Sequence, residues 1–198
     1  MKNMMILGCL ILFFVPIVWA QEKIEAPIWN IGDKWSFTGG TTIEITGEDE
    51  NSYTIRFTTT SREFIHIRDK SSLNLIYSVE EGSKVEYTSV RKRSLNFPFE
   101  IGKTWKDTFK GKEFKTGQEY TYFESYKILG WKDVKVKAGK FKTIKLEYYL
   151  EASGTPLSGR AWYWYSPDIK YFVKFRTDGN RFWIGTDDWE LISFELKK

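Results

Sequence analysis

From Trp35 onward the chain repeats one pattern: short runs in which apolar and polar side chains alternate, separated by Gly, Asp, Asn or Ser. Tyr53, Ile55 and Phe57 alternate with Thr54, Arg56 and Thr58. Successive side chains of a strand point to opposite faces, so a period of two describes half-buried antiparallel strands. The runs TTIEIT, YTIRFTTT, LNLIYSV, KVEYTSV, EYTYFESYKIL, FKTIKLEYYL, YFVKFR and WELISFEL read the same way, and no stretch holds the helical period. Gly39-Gly40, Glu81-Gly82, Ala138-Gly139 and Asp178-Gly179 supply the turns. About a dozen short strands predict an all-β fold, an antiparallel up-and-down meander curled into a barrel or strongly twisted sheet. A β-sandwich is the alternative. No linker rich in Pro, Ser or Gly divides the chain, so residues 21–198 read as a single all-β domain.

The first twenty residues, MKNMMILGCLILFFVPIVWA, carry one Lys, an apolar stretch and the small residues Val18 and Ala20 around Trp19. This is a secretory signal peptide with cleavage expected before Gln21, which places the mature protein in the periplasm or outside the cell. Two other readings stay open: lipidation at Cys9, within Ile6-Leu7-Gly8-Cys9, and retention of residues 4–20 as a membrane anchor. Cleavage removes Cys9, the only cysteine, and leaves about 178 residues, enough to bury a core without disulfides.

A chain with no mature cysteine and one histidine lacks the ligand sets of zinc, copper or iron–sulfur sites, and no D-x-[DN]-x-[DN]-G calcium loop occurs. We therefore expect no cofactor, no metal site and no catalytic residues. The formal charge of +4, part of it from Lys2, is too mild to imply nucleic acid. His66, in EFIHIRD, would face the side opposite Ile65 and Ile67, beside Arg68, as a half-exposed strand residue and not a catalytic base. A glycan hydrolase needs only two carboxylates, and Asp187-Asp188 beside Trp189 is the nearest candidate, although it reads as a loop before the last strand.

Ile31-Gly32-Asp33-Lys34-Trp35 and Ile101-Gly102-Lys103-Thr104-Trp105 share I-G-x-x-W shortly after a proline. Two similar loop-to-strand junctions that plug the ends of a barrel explain the echo; the functional version is two equivalent halves with a site between them.

Two hairpins can be worked out by pairing outward from their turns. In WKDVKVKAGKFKTIKLE, a turn at Ala138-Gly139 sets Val136 against Phe141 and gathers Lys135, Lys137, Lys140 and Lys142 on one face, a candidate contact for an anion such as a lipid headgroup or acidic glycan. Farther in, Trp131 and Leu146 fall on that lysine face, so a bulge is expected near Asp133 or Thr143. In RAWYWYSPDIKYFVKFR, a type I turn at Ser166-Pro167-Asp168-Ile169 sets Tyr165 against Lys170 and Tyr163 against Phe172. Trp162, Trp164, Ile169, Tyr171, Val173 and Phe175 then form a core face. The other face carries Ala161 with Tyr163, Tyr165, Lys170, Phe172 and Lys174, the candidate ligand-binding residues, whose rings and ammonium groups suit a molecule with an apolar body and a negative or hydroxylated part.

Val136-Lys137-Ala138-Gly139-Lys140-Phe141, Trp164-Tyr165-Ser166-Pro167 and Val173-Lys174, preceded by Ile101-Gly102-x-x-Trp105, resemble a pattern of exported bacterial all-β proteins of unassigned function, V-x-[PA]-G-x-F followed by W-Y-[SA]-P. Such proteins are distantly similar to the half-barrels that carry outer-membrane lipoproteins, which hold acyl chains in an apolar cavity, although this chain has no obvious helix to act as a lid. With the ring-and-lysine face of RAWYWYSPDIKYFVKFR, the chain reads as a non-enzymatic periplasmic or secreted protein that binds an amphipathic envelope molecule, a lipid, lipoprotein or glycan, or a partner protein. A glycan hydrolase and an envelope scaffold or assembly component are the alternatives.

Overall fold

The computed structural model describes residues 23–80, 83–85, 95–112, 119–154, 158–179 and 187–198. The signal segment 1–20, its cleavage site before Gln21, Cys9 and the Glu81-Gly82 turn lie outside the described residues. Twelve antiparallel strands form one sheet: β1 (Lys34–Phe37), β2 (Thr42–Glu48), β3 (Ser52–Thr58), β4 (Glu63–Asp69), β5 (Leu75–Glu80), β6 (Ser83–Val85), β7 (Thr104–Lys112), β8 (Glu119–Val136), β9 (Gly139–Ala152), β10 (Ser158–Ser166), β11 (Tyr171–Thr177) and β12 (Trp189–Glu195). The all-β meander read from the alternation is the fold. The sheet is curled and open.

Its strand order is β6-β5-β4-β3-β2-β1-β12-β11-β10-β9-β8-β7. The first and last strands pair in the middle, Trp35 opposite Phe194, and the two edges are the sequence neighbours β6 and β7. Each remaining strand pairs with its neighbour in sequence, as short hairpin connections favour. Next to the midline, β11 and β12 pair among the described residues through Lys174–Glu190 and Phe175–Trp189.

Two buried clusters make up the core, the first centred on β1–β3 but completed by Val136, Ile169, Val173 and Leu191 from the other half of the sheet. The first also holds Trp29, Trp35, Ile43, Ile45, Tyr53 and Ile55; the second gathers Phe99, Trp105, Tyr126, Ile128, Ile144, Leu146 and Tyr148. Fully burying one such side chain stabilises the fold by about 1.5–3 kcal/mol. The I-G-x-x-W segments open both halves with the same geometry. Gly32 and Gly102 have φ of +92° and +84°, values that glycine alone adopts without strain. Gly32 N–H donates to Ile45 O at 2.8 Å and Gly102 N–H to Ile128 O at 2.9 Å, while Ile45 and Ile128 N–H donate back to Asp33 O and Lys103 O. One residue later each partner strand bulges, between Ile45 and Gly47 in β2 and between Ile128 and Gly130 in β8. An aromatic ring six positions before each tryptophan packs on it, Trp29 on Trp35 and Phe99 on Trp105. The echo is thus one turn-strand-bulge unit used twice.

The β8–β9 hairpin corrects two expectations. Val136 pairs with Gly139, so the two-residue turn is Lys137-Ala138, one position earlier than expected, and pairing runs unbroken from Trp131 to Val136. The bulge lies at Leu129, outside the expected Asp133–Thr143 region. The phase inversion needs no bulge because the hairpin really changes which face is buried. On β9, Ile144, Leu146, Tyr148 and Leu150 face one core, whereas near the tip the opposite face, with Phe141 and, on β8, Val134 and Val136, packs on the other. Thr143 and Ile144, consecutive and both buried, mark the crossing point. Ala138 N–H donates to Leu191 O at 3.1 Å, docking the tip on β12.

Candidate functional site

The β10–β11 hairpin keeps Ile169, Tyr171, Val173 and Phe175 in the core, as its sequence suggests, but corrects the rest of the face assignment. Ser166 pairs with Tyr171 and Tyr165 with Phe172, but a bulge at Val173 shifts the remainder, so Trp164 pairs with Lys174 and Tyr163 with Phe175. Tyr163, Tyr165 and Phe172 turn inward with Ala161, Val173 and Phe175, while Trp162 lies on the outer side and Trp164, partly buried, packs against the core that holds Trp35. The neighbouring strand shows why. Tyr163 lies opposite Leu146, whereas Trp162 lies opposite Glu147 and Trp164 opposite Lys145. On the convex face Trp162 Nε1–H donates to Glu147 at 3.1 Å, and Lys145 Nζ sits 4.9 Å and 5.1 Å from the Trp162 and Trp164 ring centres. A tryptophan with a polar partner and a cation on its face is stable half-exposed. Lys174 joins this outer set, paired with Glu190 at 2.9 Å, and leaves the other four candidates.

Those four, Tyr163, Tyr165, Lys170 and Phe172, line one cavity of about 580 Å³ on the concave side. Its walls come from both halves, Trp29, Phe37, Ile43 and Phe57 from one, Tyr126, Leu146 and Tyr148 from the other, with Leu95 and Phe97 from the segment preceding β7. Volumes of roughly 300–1,000 Å³ with mostly apolar walls and few polar groups are typical of small-molecule sites. Tyr171 carries the seam: its ring stacks on Trp35 with centroids 4.9 Å apart and meets Phe172 edge-on at 5.9 Å.

The rim is held by the indoles of the first half. Trp35 Nε1–H donates to Ile169 O at 2.8 Å and Trp29 Nε1–H to Lys170 O at 3.0 Å. These bonds fix the loop 167–170, in which Lys170 adopts a left-handed φ of +57°. Lys170 Nζ lies 3.6 Å from Asp33, a fully buried carboxylate that also accepts from Asn30 N–H and Lys197 N–H. The second half commits its hydroxyls too. Tyr126 and Tyr148 donate to Glu124, at 3.0 Å and 2.6 Å, and this carboxylate is buried between them. Burial pushes the Tyr165 and Tyr171 hydroxyls up, so both stay neutral donors.

Sequence reasoning missed Arg68. On β4, Arg68 pairs with Tyr53 and His66 with Ile55, which puts both on the inner face, where Tyr53 and Ile55 are buried. Arg68 lines the cavity, and its Nη1 donates to Leu73 O at 2.7 Å. Burial lowers its affinity for a proton, yet a guanidinium remains charged at any physiological pH. His66 packs tilted against Phe57, ring centroids 4.4 Å apart, with Nδ1 buried and unpartnered, and burial, with Arg68 adding, lowers its pKa to about 4. It is a neutral residue packed behind Phe57 and is not part of the cavity lining. The alternation of EFIHIRD did place His66, Phe64 and Arg68 on one face; that this face is the buried one is legible only in register with Tyr53, Ile55 and Phe57.

Of the four lysines, Lys135, Lys140 and Lys142 share a face as expected, but Asp133 stands among them and Lys137 does not join them. Lys135 stands opposite Lys140, but Lys140 pairs with Asp133 at 3.1 Å, Lys142 sits 4.2 Å from the Trp131 ring centre, and Lys137 is in the turn. Asp187 and Asp188 reach the cavity lining, where Asp188 accepts from Thr177 N–H at 2.9 Å and lies 3.6 Å from Arg176.

No protein-family model and no curated protein matches the chain. Solved structures similar to it include a candidate lipoprotein of Parabacteroides distasonis, 11% identical, over 88% of this chain and 100% of that one with a TM-score of 0.46. The hypothetical lipoprotein YmcC of Escherichia coli is 8% identical over 89% and 92%, with a TM-score of 0.45. A candidate exported protein of YmcC-like fold from Bacteroides fragilis is 12% identical over 87% and 99%, with a TM-score of 0.39.

Proposed function

We propose that this is an exported, non-enzymatic β-protein of the bacterial envelope whose concave cavity holds one small molecule with a long apolar body. The observation that carries this reading is the cavity itself, about 580 Å³ between the two buried clusters. A core that needed only stability would close this space, since interiors pack to crystal-like density and voids are destabilising. The rings of Phe37, Phe57, Tyr163 and Phe172 offer apolar surface, and the hydroxyls of Tyr126 and Tyr148 are spent on Glu124, which favours a lipid-like body over a glycan. Hydrolysis of a glycan would need two carboxylates free to act as acid and base. Asp188 instead braces the end of β11 through Thr177 and Arg176.

The test is a fluorescence titration with a neutral apolar dye, N-phenyl-1-naphthylamine. Saturable binding of one dye per chain is expected. Thr41→Trp, which puts an indole into the cavity from its lining, should weaken binding at least about tenfold, whereas Trp162→Ala on the convex face should leave it within about twofold. Non-saturable binding, or an unaffected Thr41→Trp protein, would overturn the reading.

A further inference from the structure

Among the described residues, four charged ones line the cavity: Arg68, Lys170, Asp187 and Asp188. Lys170 is neutralised by Asp33, Asp188 is engaged by Arg176 and Thr177, and Asp187 is solvent-exposed. Arg68 differs from all of them. Among the described residues no carboxylate pairs with it, and its hydrogen bond is a single one, from Nη1 to Leu73 O. A guanidinium carries five N–H donors in a planar fork that matches carboxylate and phosphate oxygens. Arg68 lines the cavity and is part-exposed, which leaves its remaining donors within reach of a molecule held there. Around it stand Tyr171 and Leu73, with Tyr53 opposite on β3 and Phe57 in the same wall. A cation held beside such walls without a partner is destabilising, and a bound anion would relieve it while gaining a charge-assisted, bidentate contact in a poorly screened site.

From this juxtaposition, an uncompensated guanidinium in the wall of an aromatic cavity, we propose that Arg68 is the head-group subsite for an anionic amphipath. A carboxylate or phosphate group sits on Arg68 and the apolar chain runs among Phe57, Phe37 and Phe172. This inference rests on the cavity reading above and names the class of molecule that the cavity selects. It goes beyond the rings and lysines of RAWYWYSPDIKYFVKFR because the selecting charge comes from β4, in the other half of the sheet. Bonding to Leu73 O alone would be a structural role for Arg68, since Leu73 is buried with a left-handed φ of +58°. Ligand selectivity separates the two roles.

The experiment compares cis-parinaric acid with its matched alcohol, which keeps the chain and removes the charge. Wild-type protein is expected to bind the acid at least about tenfold more tightly than the alcohol. Arg68→Met should bring the two to within about twofold by weakening the acid alone, and Arg68→Lys, which keeps the charge, should retain part of the preference. Displacement of the dye by oleate against a monoacyl phosphate tells a carboxylate head from a phosphate head. Equal binding of acid and alcohol by wild-type protein would overturn the subsite while leaving the cavity reading intact, and this comparison needs no variant to fold. A preference that survives in a folded Arg68→Met protein would do the same. Failure of both probes to bind would remove the cavity reading and the subsite with it.

Discussion

Asp33 joins three parts of the chain that are remote in sequence. Its side chain is fully buried, accepts from Asn30 N–H at 3.0 Å and from Lys197 N–H at 2.7 Å, and lies 3.6 Å from Lys170 Nζ on the cavity rim. Hydrogen bonds to a charged group each stabilise by about 1.5–3 kcal/mol, so loss of two in Asp33→Ala has a ceiling near 6 kcal/mol. Asn30 is half-buried and Lys197 exposed, so water reaches both freed N–H groups. The expected loss is therefore about 2–4 kcal/mol. Asp33→Asn should recover little, because its amide must turn an NH₂ toward one of two backbone donors. The assay is urea denaturation, read as a shifted midpoint at unchanged slope. Truncation after Leu196 removes one of the two bonds and should cost about half as much, and the two changes together should cost less than their sum because they share a bond. If Asp33→Ala stays within about 0.5 kcal/mol of wild type, or its loss adds fully to that of the truncation, the buried brace does not hold the first and last strands together.

Two further changes probe other joints. His66 is held down to about 4 from an ordinary 6.5, so across that window the unfolded chain binds a proton that the folded chain refuses. Stability is fully present above about pH 6.5 and falls as the pH drops toward 4, by about 2–3 kcal/mol after allowing for the ring's residual exposure. His66→Phe should flatten that part of the urea-midpoint profile, and an unchanged slope would assign the acid sensitivity to other groups. At the hairpin tip, Val136→Ala should cost about 1–2 kcal/mol in the same assay, while Lys135→Ala on the opposite face stays within about 0.5 kcal/mol. Equal effects would mean that the tip is not docked on the Trp35 core.

The strand pattern was legible because alternation is local: Tyr53, Ile55 and Phe57 report a buried face wherever the strand sits. Which face is buried is a relation between strands. TTIEIT and YTIRFTTT carry it plainly, with isoleucines on one side and Glu or Arg on the other. WYWY does not, because tryptophan and tyrosine both tolerate either side, and tryptophan outside needs only an acceptor and a cation, here Glu147 and Lys145. The deciding signal was in β9, whose Lys145 and Glu147 against Leu146 and Tyr148 are unambiguous; pairing β10 to β9 before pairing it to β11 would have put the tyrosines inside. The Val173 bulge flips Lys174 away from its expected companions, and no residue in YFVKFR announces it. Arg68 was passed over because a charged residue in an alternating strand reads as solvent-facing. Its partners on the buried face, Tyr53 and Leu73, become visible only with the register and the turn in hand.

The central claim is that one amphipathic molecule occupies the space between the two halves. Native mass spectrometry of the mature protein mixed with a series of single-chain amphipaths tests it most directly. The account requires one saturating adduct per chain, suppressed in Thr41→Trp and in the Tyr163→Ala, Phe172→Ala double variant. Absence of any adduct, or a non-saturating ladder of adducts that is the same in wild type and both variants, would contradict it.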